Sequence, residues 1–347
     1  MLRRYRVFVS YSREDVEIRE KVVNVLKKMH VDPQWDANLP VGPPFTEEIK
    51  ALIERSHVFL PILTETSSAG PWVHQESGYA MGWGIPILIV AIGVDPDQML
   101  HGQQAAKVQR DLSDLAKRLK REDIERLVND AGEGSGRARF ECADDPQTRA
   151  EKLAKYTNLA LRLGKPGRLR QCAALSSFSI PDKHYLDPIW LRRDGDRPRD
   201  EHHWRRAWEE RKSLERYARA GGCDLFIDPT VPLKAQGPDA RKTRLVTLLE
   251  FLDSMPDDKI RVAIGGQARA QNVTIVGDWF FAKAVSPRPG FGYRQTMFTW
   301  YAPRVLHEIE KLDQLFDQYY EDYSKGCEPG NPRGRGPSGR SRRSSRE

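Results

Sequence analysis

Short runs of almost uninterrupted apolar residues alternate with helix-patterned segments through the first half of the chain. This alternation narrows the fold more than any other feature. Arg6-Val-Phe-Val-Ser10, Val31–Trp35, His57–Leu63 and Ile85–Ile92 have strand composition. Between the first two, Arg13–Met29 spaces Val16, Val22, Val23, Val25, Leu26 and Met29 at threes and fours, the period of an amphipathic helix. Ser12 ahead of Arg13-Glu14-Asp15 supplies an N-cap and early acids, which suit a helix start. Thr46–Ser56 and Gly70–Gly82 read as the next helices. Strands that are apolar on both faces need cover on both faces, and parallel neighbours need a crossover helix. The expectation is an α/β unit around a parallel five-stranded, flavodoxin-like sheet. His101–Asn129 reads as a long polar helical region, Arg137–Cys142 as the fifth strand and Pro146–Leu163 as a closing helix. Gly164-Lys-Pro-Gly167 is the expected linker, so the first domain spans 1–164.

The second half is less regular. Strand-like runs at Cys172–Ile180, Cys223–Ile227, Ile260–Ile264, Asn272–Val285 and Tyr293–Trp300 mix with helical patterns at Asp200–Ala220, Asp239–Ser254 and Pro303–Tyr323. Ser286–Gly292 has the composition of a hairpin loop. A separate α+β domain over 165–326 is expected. Residues 327–347 are Gly/Ser/Arg-rich and have too little apolar material for a core, so a disordered tail is expected there.

Composition removes several classes of function. The net charge of +7 over 347 residues suggests nucleic acid, but six arginines and two glutamates after residue 326 carry +4 of it. The remaining 326 residues are nearly balanced, so only the tail carries a basic signal, and without interleaved aromatics it is a weak one. No run reaches the roughly 20 apolar residues of a membrane span, and Met1–Leu26 lacks a signal-peptide pattern. Cys142, Cys172, Cys223 and Cys327 are widely spaced, which argues against a zinc site or disulfide framework and for a reducing, cytoplasmic setting. His202 and His203 are adjacent, so on a helix they diverge by about 100° and make a poor ligand pair.

Four segments in order carry a family resemblance. Arg6-Val-Phe-Val-Ser-Tyr-Ser-Arg-Glu-Asp15 is a strand ending in Ser-Tyr-Ser and an acid. Asp36–Phe45 is a turn-rich loop holding Pro40, Pro43 and Pro44. Ser67-Ser-Ala-Gly-Pro-Trp-Val-His-Gln-Glu76 opens a helix, and Ile85-Pro-Ile-Leu-Ile89 is an apolar strand. Together they resemble the Toll/interleukin-1 receptor (TIR) domain over about 160 residues, with Asp36–Phe45 similar to the family's BB loop. The carboxyl-terminal half resembles no family.

The resemblance implies cleavage of NAD+ at its nicotinamide–ribose bond, with Glu76 in the place of the catalytic glutamate and NAD+ as substrate, no cofactor being required. The chemistry is consistent with one carboxylate. Departure of neutral nicotinamide builds oxocarbenium charge on the ribose, which a carboxylate can stabilise. Trp72 lies four residues before Glu76, on the same helix face, and could wall the pocket. Ser10, Tyr11 and Ser12 end the first strand, where parallel sheets place ligands. Arg13 either meets a phosphate through its guanidinium or is a solvated helix end. Trp35 and Phe45 either stack on the substrate's rings or anchor the loop in the core.

The resulting expectation is a TIR NADase of antiphage or cell-suicide defence. It would be switched on by TIR self-association, itself driven by a ligand or protein at the carboxyl-terminal domain. The alternative is a non-enzymatic TIR scaffold. A catalytic second half, using Asp228, Asp253 or Asp278, has no supporting spacing.

Overall fold

The computed structural model describes residues 5–36, 46–96, 98–134, 140–181, 201–230, 237–266, 268, 272–288 and 292–326. The first unit holds β1 (Arg6–Ser10), α1 (Val16–Lys28), β2 (Asp32–Gln34), α2 (Glu47–Glu54), β3 (Val58–Leu63), α3 (Glu65–Ala69), α4 (Pro71–Gly82), β4 (Leu88–Ile92) and β5 (Gln104–Val108). All five strands are parallel, in the order β2-β1-β3-β4-β5. This is the flavodoxin-like order expected from the alternation.

The two-residue period of each strand sorts its side chains between two cores. Val7, Val9, Val58, Leu60, Ile62, Leu88 and Val90 face α1, where Val22, Val23 and Leu26 meet them. Phe8, Phe59, Ile87, Ile89 and Ala91 face the other way, onto Ile49, Leu52 and Ile53 of α2 and Val73 and Ala80 of α4. Burying one such large apolar side chain contributes about 1.5–3 kcal/mol.

The region read as one long helix after residue 100 is different. It holds the fifth strand, β5, and then α5 (Leu115–Arg118) and α6 (Arg121–Gly134). β5 lies at the sheet edge, where only Ala106 and Val108 are buried, so its polar composition hides a strand. The run expected to be the fifth strand becomes β6 (Glu141–Ala143), which pairs antiparallel with a strand more than 150 residues later.

The second sheet has seven strands in the order β6-β12-β11-β10-β7-β8-β9. β7 (Leu169–Ala173), α8 (Glu201–Gly221), β8 (Cys223–Ile227), α9 (Gly237–Asp253) and β9 (Ile260–Ile264) form a parallel β-α-β-α-β unit. β10 (Val273–Val276), β11 (Phe280–Arg288) and β12 (Gly292–Thr299) add an antiparallel meander beside β7, and α10 (Ala302–Gly326) ends the described chain. The expected single strand over Asn272–Val285 is two strands, with a turn at Gly277-Asp278-Trp279. Gly277 has φ 55°, and a Cβ there would lie 2.2 Å from the Tyr217 hydroxyl. The chain has therefore entered the second sheet by residue 141, ahead of the 164–167 segment. α7 (Pro146–Leu163) packs along α8. Residues 327–347 lie outside the described residues.

The two sheets meet at the amino-terminal end of β1. Arg6 is 3% exposed; its guanidinium donates to the Asp278 carboxylate at 2.5 Å and to the Asp278 carbonyl at 2.9 Å. Arg55 reaches the same carboxylate at 3.3 Å and stacks 3.5 Å above the Trp279 ring. Burial pushes Asp278 up, but the two guanidiniums outweigh it and hold the acid below its ordinary range. Burial and the Arg6 charge push His57 down to about 3. Its neutral ring accepts the Arg6 backbone N–H at Nδ1, 2.9 Å away.

Candidate active site

At the opposite end of β1, the chain leaves the sheet through Ser10, Tyr11 and Ser12. Ser10 is 1% exposed. Ser12 is extended, with φ −75° and ψ 143°, and its carbonyl accepts the Asp15 N–H at 2.7 Å. Asp15 is buried and accepts the Thr64 hydroxyl at 2.8 Å. Burial raises the Asp15 carboxyl, and the Thr64 bond opposes this.

Thr64 also caps α3. Its side chain accepts the Ser67 N–H, while Ser67 Oγ accepts the Thr64 N–H at 2.7 Å and donates to the Ile62 carbonyl at 2.9 Å. This reciprocal box fixes where α3 starts, and the Thr64–Asp15 bond ties the segment after β1 to the end of β3. Gly70 then precedes Pro71, the first helical residue of α4, where a missing N–H does no harm.

The buried positions of α4 are Val73, Glu76, Ser77 and Ala80. Glu76 thus occupies a place where the helical period calls for an apolar residue, and it is 1% exposed. The Ser10 hydroxyl and the Trp72 indole lie beside its carboxyl, and the Asp36 charge acts on it. Burial, with the Asp36 charge, pushes Glu76 up to about 8 against the pull of Ser10 and Trp72. Among the described residues no cation forms an ion pair with it.

Polar capacity is left over beyond this end of the sheet. Arg19 Nε, Trp35 Nε1 and Asp36 Oδ1 are buried without a hydrogen-bond partner among the described residues. Such atoms are expensive to leave unmet. The Arg19 guanidinium lies 5.1 Å from the Tyr11 ring centroid and 5.3 Å from that of Trp35. Tyr11 is pushed up by burial and by the neighbouring Asp36 charge.

Of the residues singled out in the sequence, the fold gathers Ser10, Tyr11, Trp35, Trp72 and Glu76. Ser12 is half-buried on the same turn. Arg13 is exposed, close enough for its charge to act on Tyr11. Phe45 lies outside the described residues, as does the loop from 37 onward. Two neighbours were not anticipated. Arg19 sits within the charged stretch Glu17–Lys21, where nothing separates it from a solvated helix face. Asp36 was read only as the start of the loop. Among the described residues no group of three His, Cys, Asp or Glu could hold a metal ion, and no helix is long and apolar enough to cross a membrane.

A family model described as the TIR domain matches residues 7–128. No curated protein matches the chain.

Proposed function

Residues 7–128 form a TIR domain, and from that premise we propose that the chain cleaves NAD+ at the nicotinamide–ribose bond, with Glu76 as the catalytic carboxylate. The observation that carries this reading is an acid on the buried face of α4, 1% exposed and with no cation paired to it among the described residues. Perturbed, unpaired acids of this kind concentrate at functional sites.

NAD+ brings its own positive charge on the nicotinamide ring. Seated against Glu76, that charge favours the carboxylate form and draws the acid down from about 8. As the bond breaks, the positive charge moves onto the ribose, and Glu76 stabilises it there. The Ser10 hydroxyl, beside the Glu76 carboxyl, suits a ribose hydroxyl. Trp72 and Trp35 supply ring faces, and Arg19 or Arg13 a guanidinium for the diphosphate. Nicotinamide leaves neutral, and water or an internal hydroxyl takes the ribosyl carbon.

In this reading, self-association of TIR domains completes the site. The carboxyl-terminal half responds to a ligand or partner, and NAD+ depletion serves cell-suicide defence. The test is nicotinamide release from NAD+ by the full chain, free and artificially oligomerised. Replacing an electrostatic stabiliser commonly lowers the rate by about 10²–10³-fold, and Glu76→Gln should do so. If neither form of the wild type exceeds Glu76→Ala, the enzymatic reading is wrong.

The near-complete burial of Glu76 favours one other reading, a scaffold that works through TIR–TIR contacts alone. A cellular phenotype kept in Glu76→Gln and lost on replacing Pro43 and Pro44 would select it.

A further inference from the structure

A cavity of about 330 Å³ lies in the carboxyl-terminal half, at the end of β7. There the second sheet changes direction, because β7 pairs parallel with β8 on one side and antiparallel with β10 on the other. Open α/β sheets take ligands beyond the carboxyl ends of their parallel strands, and the cavity lies beyond that end of β7. The volume falls at the small end of metabolite sites.

The polar lining is built from buried groups already held in place. Glu210 of α8 is 2% exposed. It accepts the Ser177 hydroxyl at 2.7 Å and the Arg149 guanidinium at 2.8 and 3.0 Å. Gln171 donates to Ser177 Oγ at 2.9 Å and Thr274 Oγ1 at 3.1 Å, and accepts the Ser177 N–H at 3.0 Å. Arg244 donates to Ser179 Oγ at 2.7 and 3.0 Å. Ser176, also in the lining, is fully buried, and its hydroxyl has no hydrogen-bond partner among the described residues.

Charge narrows what can enter. The charged lining residues are Asp145, Arg149, Glu210 and Arg244, so the formal charges cancel. A phosphate group would meet Arg149 already matched by the Glu210 carboxylate and Arg244 already bonded to the Ser179 hydroxyl, and would lose its hydration for little return. Ala143, Leu175, Ile180 and Ala207 give the remaining walls an apolar character.

We propose that this cavity binds an uncharged polar metabolite of nucleoside size, hydrogen-bonded by the Ser176 hydroxyl. The role of such a ligand as a signal rests on reading this half as the sensing unit, whereas the binding itself does not. One of the helices that line the cavity also reaches the TIR domain. α7 brings Arg149 to the cavity and, further along, Lys155 and Arg162 to Glu47 and Glu48 of α2.

The experiment is thermal unfolding of the full chain with adenosine, guanosine, cytidine and uridine as uncharged probes and AMP as the phosphorylated control. At least one nucleoside should raise the midpoint saturably, as a ligand of the native state must, and AMP should not. Ser176→Ala should weaken that binding about tenfold, and Ala207→Leu, which fills the cavity, should abolish it. Should Ala207→Leu not fold, Ser176→Ala alone decides. No shift with any nucleoside, a shift with AMP instead, or a shift unchanged in the variants that fold would overturn the proposal. The same titration on Glu76→Gln should give the same shift, so this reading and the NAD+ reading fail separately.

Discussion

Glu76 is held by a helix that buries it and by neighbours that only partly welcome its charge. Its ordinary carboxyl value of 4.5 rises to about 8 in the folded chain, a difference worth roughly 5 kcal/mol at most between the two protonation states. The folded state therefore binds this proton more tightly than the unfolded state does. Stability from this group is complete below about pH 4.5 and is lost as the pH rises through about 8. Glu54, pushed up by burial to about 7 beneath the Tyr79 hydroxyl, works in the same direction. Glu76→Gln mimics the neutral acid and removes one titration. Thermal midpoints measured from pH 5 to pH 9 should fall more steeply for the wild type than for Glu76→Gln. The variant should be the more stable of the two above pH 8. Parallel curves would mean that Glu76 is not the buried acid described above.

At the scale of elements, the β10–β11 turn holds the two halves together. Asp278 is 49% exposed, while the Arg6 and Arg55 side chains it meets are 3% and 6% exposed. Burial has already pulled Arg55 down to about 9. Asp278→Ala leaves two buried guanidiniums without their shared anion. Removing one partner of a fully buried pair costs about 3–5 kcal/mol. With Asp278 half in solvent, about 1–2 kcal/mol is expected. A lowered denaturant midpoint at constant slope would register it, and an unchanged midpoint would show that water replaces the acid at no cost. β6 illustrates the opposite case, a three-residue strand whose place is set by a partner. Cys142 pairs with Met297 and Glu141 with Phe298, and no local pattern names either partner.

The whole molecule has two sheets but not two isolated cores. Phe8, Ile53 and Phe59 from the first unit and Leu153, Tyr217 and Trp279 from the second region belong to one continuous buried cluster. The Arg6–Arg55–Asp278 group crosses the same junction. Halves joined only by a linker melt separately, whereas halves sharing apolar contacts of this extent lose them together. Calorimetry of the full chain should therefore show one cooperative transition with matching calorimetric and van't Hoff enthalpies. Two resolved transitions would mean that the shared cluster contributes little.

The first sheet was legible because its signals are local. A run such as Val58–Leu63 carries its own length, its apolar content and its alternation between two faces, all within six residues. The same locality put Glu76 and Trp72 one helical turn apart and made the TIR motifs readable in order. β5 escaped notice because an edge strand needs only one buried stripe, and Gln104–Val108 supplies little more than Ala106 and Val108. Arg19 and Asp36 escaped because a charged residue in a charged stretch looks the same whether it faces water or a site. What the sequence alone determined was a parallel α/β unit with an acid on its third long helix. The tertiary structure decided which sheet β6 joins, and that the acid is buried beside Ser10 and Asp36. Those outcomes depend on partners and on exclusion of water, which are contributed by residues 40 to 157 positions away and so lie outside any local pattern.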